Sequence, residues 1–260
     1  MEKNRSDRMH RHDFYELVWL KDGHCTFFAD FLQFPLEEGS LIFISPGQLH
    51  DYLINKAVVR LYIIGFRPTL LPTVAHHLLN VLPFDDAQRD PTLIIPPALK
   101  PTFLQLFSAA HQRFDSQQLG WESIATAYLQ TLLTEAAYLM PEDVIRQASS
   151  AAVQLTKAFQ HEVEQHYRTL RQVQEYANIL GVTSNHLVKT VREATMTTPK
   201  QMLQDRLLLE AKRLLVHTRY PINQISGLLA FPNSTTFARW FKKLAGTTPS
   251  DFRSRSILLM

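Results

Sequence analysis

Leu187-Val-Lys-Thr-Val-Arg192, closed by Thr197-Thr-Pro199, occurs again fifty residues later as Phe237-Ala-Arg-Trp-Phe-Lys242, closed by Thr247-Thr-Pro249. Each copy has the spacing of a cationic amphipathic helix with a proline stop. A shorter apolar helix and a tight turn precede each. In the first unit Val173, Tyr176, Ala177 and Leu180 form the buried stripe of that support helix, Gly181 ends it, and Thr183 or Ser184 caps the next. In the second, Pro221 suits the helix start, Ile222, Ile225 and Leu229 form the stripe, and Phe231-Pro-Asn-Ser234 makes the turn. Two basic helix-turn-helix units in one chain are the pattern of a reader of double-stranded DNA.

The anchors leave defined faces to solvent. With Leu187 and Val191 buried, the first reading helix presents Ser184, Asn185, His186, Val188, Lys189 and Arg192. Asn, His and Lys in the first turns are suited to base edges, and Arg192, further along, to phosphates. With Phe237 and Phe241 buried, the second presents Ser234, Thr235, Ala238 and Arg239, with Lys242 and Lys243 for the backbone. Arg239 is the best single candidate for a bidentate guanine contact. Between the units, residues 202–216 read as one long amphipathic helix that would hold the readers about one DNA turn, ~34 Å, apart. Its charges Arg206, Lys212 and Arg213 read mostly as solvated.

Charge divides the 260-residue chain in the same place. Residues 1–150 hold 12 Lys and Arg against 17 Asp and Glu (−5), and residues 151–260 hold 15 against 7 (+8). A basic half joined to an acidic half suits a nucleic-acid module carrying a domain of another kind. One cysteine, Cys25, allows no intrachain disulfide, and its apolar surroundings make it a small buried hydrophobe. The N-terminus is polar, and no apolar run reaches the ~18–20 residues of a membrane span, so a soluble cytoplasmic protein is expected.

The acidic half begins as strands. Phe14–Leu20, Cys25–Phe34, Leu41–Ser45 and Val58–Phe66 are separated by turns, with Asp22-Gly23 read as a two-residue hairpin. The spacing predicts a jelly roll or small barrel. From Pro101 the period becomes helical. A second helix over about 122–140 carries Ala125, Leu129, Leu132, Ala136 and Leu139 as a narrow seam, expected to dimerise, with packing onto its own domain as the alternative. Pro141 stops it, and residues 141–152 read as a linker. The expected organisation is therefore α+β: residues 1–140 a jelly roll or small barrel with two flanking helices, and 153–260 an all-α DNA-binding domain.

Arg206-Leu-x4-Ala211-x2-Leu214-Leu215, Ile222-x2-Ile225, Phe231, Phe237, Arg239, Phe241 and Gly246-x2-Pro249-x2-Phe252-Arg253 together resemble the signature of the AraC/XylS family of bacterial transcription regulators over residues 155–255. The resemblance implies seven helices, two helix-turn-helix motifs on one linker helix, and base-facing positions for Asn185, Val188, Lys189, Ser234, Thr235, Ala238 and Arg239. Two residues depart from it. Ala230 and Met196 stand where the family has glycine, and both loops are expected to differ in shape.

His10-x-His12-x3-Glu16 with Pro46-Gly-Gln-Leu-His50 resembles the cupin motifs. Metal-binding cupins hold one divalent ion with such residues, whereas cupins joined to this DNA-binding domain generally keep them without one. No resident metal or other cofactor is expected, with His10, His12, Glu16 and His50 as the candidate set. The barrel is expected instead to hold a small effector among Tyr15, Trp19, Phe27, His50, Tyr52, Arg60 and Tyr62, with Arg67 a second partner for a carboxylate. Likeness to regulators of hydroxybenzoate catabolism suggests an aromatic acid, with a sugar as the alternative.

The expected function is a ligand-responsive transcription regulator, an activator rather than a repressor. Its partners would be double-stranded DNA, a small effector, a second copy of the chain and RNA polymerase. A metal-dependent cupin enzyme fused to a DNA-binding module, and a constitutive DNA-binding dimer, are the alternatives. No nucleophile–base pair, Gly-rich phosphate loop or paired-Cys zinc spacing favours an enzyme.

Overall fold

Seven strands, with one short helix between the sixth and the seventh, precede a run of helices in the computed structural model, which describes residues 9–54, 58–84, 90–148 and 150–258. The strands are β1 (Tyr15–Asp22), β2 (Cys25–Ala29), β3 (Leu32–Leu36), β4 (Ser40–Ile44), β5 (His50–Leu53), β6 (Arg60–Phe66) and β7 (Thr92–Ile94). The helices α1 (Leu78–Val81), α2 (Lys100–Ser116), α3 (Trp121–Tyr138) and α4 (Glu142–Ala148) complete a first compact unit, His10–Ser150. The second unit, from Ala151 on, comprises α5 (Ala151–His166), α6 (Val173–Ile179), α7 (Ser184–Thr195), α8 (Pro199–His217), α9 (Ile222–Leu228), α10 (Ser234–Ala245) and α11 (Pro249–Leu258). The α+β class and the seven C-terminal helices agree with the sequence reading.

The strands do not close into a barrel. They form two antiparallel sheets, one in the order β6-β1-β4-β7 and one in the order β3-β2-β5. Strand alternation explains the layering. On β1, Tyr15, Leu17 and Trp19 join the core built with Phe103, Phe107, Leu129 and Leu132 of α2 and α3. Val18 and Leu20 point the other way, into a second core with Phe27, Leu36, Ile42 and Ile44 between the sheets. The four-stranded sheet is covered on both faces, which is why all five residues of β4 are buried.

Two strand expectations need correction. Asp22-Gly23 is not a hairpin: β1 pairs with β4 and β6, and β2 with β3 and β5, so the chain crosses here from one sheet to the other. Gly23 is required because its φ is +92° and a Cβ would meet the Val58 carbonyl oxygen at 2.5 Å. The long strand over 25–34 is instead two, with Ala29 opposite Leu32 across a turn at Asp30. The stretch read as a linker is largely helical: α4 occupies 142–148, Ala148 is buried in the first unit's core, and Ile145 packs against it.

The α3 seam serves its own unit. Leu129, Leu132 and Ala136 are buried against α2 and the sheet, Leu139 packs beside them, and Ala125 is half-buried. A face committed to its own core cannot be offered to a second copy, so the dimerisation expectation for these five residues is withdrawn.

In the second unit α8 is the central rod. Its 19 residues span roughly 28 Å at about 1.5 Å each. Leu203, Leu207, Ala211, Leu214 and Leu215 give it the apolar stripe of the common core. Thr198 caps it, its hydroxyl accepting from the Gln201 amide at 3.2 Å. The helix charges are not solvated as expected. The Arg206 guanidinium donates to both Glu164 oxygens, at 2.5 and 2.7 Å, and stacks 3.9 Å from the Tyr167 ring. Glu210 is fully buried and meets Arg168 at 3.0 Å, Arg206 at 3.5 Å and Arg213 at 3.6 Å. Lys212 lies over the Phe252 ring at 5.8 Å.

Ala230 and Met196 do not reshape their loops. Four matching positions of the repeat are left-handed: Gly181 (φ 66°) and Ala230 (φ 50°) end the support helices, and Met196 (φ 58°) and Gly246 (φ 74°) end the reading helices. Each unit has glycine at one of its two positions and pays a strain of about 1–2 kcal/mol at the other. Space does not force glycine, since a Cβ at Gly181 or Gly246 would meet nothing within 4 Å. Ala230→Gly is therefore expected to stabilise the helical unit by about 0.5–1 kcal/mol after the entropy cost of glycine is deducted. Urea unfolding followed by circular dichroism checks it, and a decrease in midpoint would refute the strain.

Candidate nucleic-acid interface

Two capped helices carry the candidate DNA-reading side chains. Thr183, not Ser184, caps α7, its hydroxyl accepting from the His186 amide at 3.2 Å, while the Ser184 hydroxyl donates to Gln174 Oε1 of the support helix at 2.5 Å. Asn233 caps α10, its carbonyl Oδ1 accepting from the Thr236 amide at 2.8 Å. The anchors behave as the periodicity predicts: Leu187, Val191, Phe237 and Phe241 are each 0% exposed. Phe231 and Trp240 pack with Phe237, their rings 5.3 and 6.2 Å from it, and stiffen the second unit.

The remaining faces are outward. Asn185, His186, Val188, Lys189 and Arg192 are exposed on α7, and Asn185, Val188, Lys189 and Arg192 line a groove of about 540 Å³ with Glu193 and Met196. Thr235, Arg239, Lys242 and Lys243 are exposed on α10, with Ser234 and Ala238 half-buried beside them. Among the described residues, the side chains of Arg192, Arg239, Lys242 and Lys243 have no hydrogen bond or ion pair. Arg253 and Arg171, by contrast, are committed to the fold. Arg253 donates to the Leu215 and Tyr220 carbonyl oxygens at 2.9 and 2.7 Å, and Arg171 donates to the Leu229 carbonyl oxygen beneath the Phe231 ring. The unpaired cations on the two reading helices can meet phosphate without first breaking an ion pair.

Glu193 escaped the sequence reading. It lies 3.9 Å from Lys189, one turn on, and places an acid in the groove beside the reading face. The i, i+4 spacing of Lys189 and Glu193 was the signal.

The candidate effector residues do not share one site. Tyr15, Trp19 and Tyr62 face the helices; Trp19 stacks 5.7 Å from both Tyr62 and Phe107. Phe27 and Tyr52 lie between the sheets, 5.2 Å apart, with His50 beside Phe27 at 6.4 Å. Arg60 is exposed and pairs with Asp22 at 3.6 Å. Burial pushes the Tyr52 phenol up, helped by the Glu16 carboxylate. Arg67, paired with Asp13 at 2.7 Å, instead lines a separate groove of about 450 Å³ with Phe14, Gly65, Phe66, Thr69 and Leu70. The split follows the two sheets: Tyr15, Trp19 and Tyr62 lie on β1 and β6, whereas Phe27, His50 and Tyr52 lie on β2 and β5.

Three of the four candidate metal ligands, His12, Glu16 and His50, converge within 4.8 Å of one another. His10 forms the isolated antiparallel bridge to His50, its ring 4.3 Å from the His50 ring. Burial pushes the His50 imidazolium down to about 4, against a hydrogen bond to the Gln48 carbonyl that raises it, so the ring is neutral near pH 7.

An antiparallel two-sheet unit followed by paired helix-turn-helix motifs on one shared helix defines a DNA-binding protein with an appended sensor-type domain. Residues 2–133 match the family model described as an AraC-like ligand binding domain, and residues 176–255 match a helix-turn-helix domain. The chain belongs to the AraC family of transcription regulators. The HTH-type transcriptional activator RhaR of Mannheimia succiniciproducens is 24% identical over 254 residues, 96% of this chain and 88% of that protein. The xylose operon regulatory protein of Escherichia coli (strain K12) is 29% identical over 93 residues, so the chain spans 24% of its length. Among solved structures, ToxT from Vibrio cholerae aligns with a TM-score of 0.44 at 9% identity, over 95% of this chain and 92% of that one. No helix among the described residues is long and apolar enough to cross a membrane.

Proposed function

We propose that this chain is a ligand-responsive regulator of transcription that reads duplex DNA with α7 and α10 and senses a small molecule in its N-terminal unit. One observation carries the reading. Two helices related by the internal repeat are both anchored on one core around α8, and both expose unpaired cations beside polar groups of base-reading type. Asn185, His186, Val188, Lys189, Ser234, Thr235, Ala238 and Arg239 are assigned to base edges, and Arg192, Lys242 and Lys243 to phosphates. Val188 and Ala238 offer only apolar contact, such as one to a thymine methyl.

The sensor role rests on the family of residues 2–133. The Arg67 groove, with apolar walls and one guanidinium, suits a small carboxylate, and an aromatic acid fits Phe14 and Phe66 better than a sugar does. Response to an effector requires that it bind one arrangement of the protein more tightly than another. Activation through RNA polymerase, a homodimer and a cytoplasmic location belong to the same reading, supported by the family alone. So does the lack of enzymatic activity, since the relatives named are regulators. The division into residues 1–140, a joining segment and 153–260 goes with it.

Lys242→Ala is the direct test. It is expected to weaken binding to specific and random duplex alike and to lower the slope of log K against log salt by about 1. Titration by fluorescence anisotropy at several salt concentrations measures both. A loss confined to one sequence would contradict the phosphate role. Failure of the wild-type chain to prefer any duplex over random competitor would overturn the function.

A further inference from the structure

We propose that Glu193 is a specificity-determining residue of the first reading helix. Its carboxylate competes with DNA phosphate for Lys189, so α7 adds little attraction on random duplex and engages where base edges offer Lys189 better acceptors. This role rests on the reading of α7 and α10 as DNA-binding helices. The internal repeat, with its offset of fifty residues, aligns Val188 with Ala238, Lys189 with Arg239, Arg192 with Lys242 and Glu193 with Lys243. The charged groups of the α7 face are then Lys189, Arg192 and Glu193, a net +1, and those of the α10 face are Arg239, Lys242 and Lys243, a net +3. Two helices anchored and capped alike thus differ by two charges, and the whole difference lies at one aligned position.

Helix stability does not account for the acid. Glu193 falls in the last turn of α7, where the negative end of the helix macrodipole disfavours an anion. Lys before Glu is also the weaker order for a pair four residues apart. Both side chains are largely exposed, 75% for Lys189 and 60% for Glu193, and stand 3.9 Å apart, so the contact adds little to the fold. The second helix does the reverse and places Lys242 and Lys243 in its last turn. Glutamine would serve α7 at least as well.

The position of Glu193 supplies the other role. It lines the groove of about 540 Å³ together with Asn185, Val188, Lys189 and Arg192, the face assigned to DNA. An ammonium is a point charge that takes a phosphate as readily as a base edge. With a carboxylate one turn away, moving Lys189 to a phosphate exchanges one oxyanion for another and leaves Glu193 facing a polyanion. A guanine is different. Its O6 and N7 are neutral acceptors on the groove floor, and the three donors of Lys189 can serve them while one still faces Glu193. The second helix then supplies most of the attraction to any duplex, and α7 contributes on selected sequences.

The test measures binding of the full chain to random duplex, and to a site enriched from randomised duplex, by fluorescence anisotropy at about 50 and 200 mM salt. Glu193→Gln is expected to strengthen random binding and to steepen the fall of log K with log salt by about 1, so that its advantage over wild type shrinks about 3.5-fold between those salts. The ratio of selected to random affinity should fall. Lys243→Glu gives α10 the same acid four residues after its cation, Arg239, and should make the fall with salt shallower by about 2. In a Lys189→Ala background Glu193→Gln should gain much less, because the cation it competes for is gone. Circular dichroism melting of each variant should match wild type, since every side chain changed is exposed.

Random binding and salt slope unchanged in Glu193→Gln would overturn the role. So would a loss confined to one base pair, which would make Glu193 an acceptor for a cytosine amino group. Equal gain with and without Lys189 would also overturn it, since the carboxylate would then repel the duplex unaided. A wild-type chain that selects no site at all removes the DNA-reading assignment together with this role. A selective wild type with an unresponsive Glu193 removes this role alone.

Discussion

Glu210→Ala is expected to cost the helical unit about 3–5 kcal/mol, the usual penalty for removing one partner from a buried ion cluster. Glu210 is fully buried and answers the charges of Arg168, Arg206 and Arg213. Arg206 keeps Glu164 after the substitution, and Arg168 is half-exposed and reaches water. Arg213, with only 6% of its side chain exposed, loses the Glu210 counter-charge at a buried position. The loss would be seen as an early fall in helical circular dichroism on urea titration of the full chain. Replacing both ends of the pair, Glu210→Leu with Arg213→Met, should recover most of it, since two apolar groups of similar volume need no counter-charge. If the single alanine costs less than about 1 kcal/mol, the buried cluster contributes little to the stability of the helical unit.

Arg239→Ala is expected to weaken specific binding by about 1–3 kcal/mol and to abolish preference at a single base pair. Arg239 is exposed in the second turn of α10 and has no competing side-chain partner among the described residues. Its guanidinium can therefore meet the two major-groove acceptors of a guanine without first breaking a contact in the protein. Arg239→Lys separates shape from charge. Lysine keeps the phosphate attraction but has no planar fork, so binding to random duplex should persist while selection at that position declines. Competition among randomised sites, sequenced before and after binding, reads the effect. An unchanged preference would mean that α10 enters the groove in another register. A loss uniform over all sequences would make Arg239 a phosphate contact.

Helix periods and breakers carried most of the second unit. Leu187 with Val191 and Phe237 with Phe241 sit four apart, which on a helix is one face, and all four are buried. The sequence also marked the reading helices by charge, because residues on the solvent side of an amphipathic helix are the ones free to bind a polyanion. Misreadings occurred where a residue's role depends on a distant partner. Arg206 and Arg213 look like any helix cations until Glu164, Tyr167 and Glu210 are brought against them. The α3 seam looks like a dimer face until α2 covers it.

The first unit shows the same division more sharply. Alternation told which residues of a strand share a face, and it could not tell which layer that face meets. Asp22-Gly23 has the local chemistry of a hairpin, yet the pairing partners of β1 and β2 lie elsewhere, so the turn passes between sheets. The aromatic residues expected around one effector were divided between two cores for that reason. In the histidine cluster the spacing of His12 and Glu16 is local, while His50 arrives from a different strand. By itself the sequence determined the helices, their anchors and the charge they present, because those follow from interactions within a few residues along the chain. Only the tertiary structure decided which charges are paired, which faces are covered and which side chains converge, because those depend on contacts whose partners the chain order does not reveal.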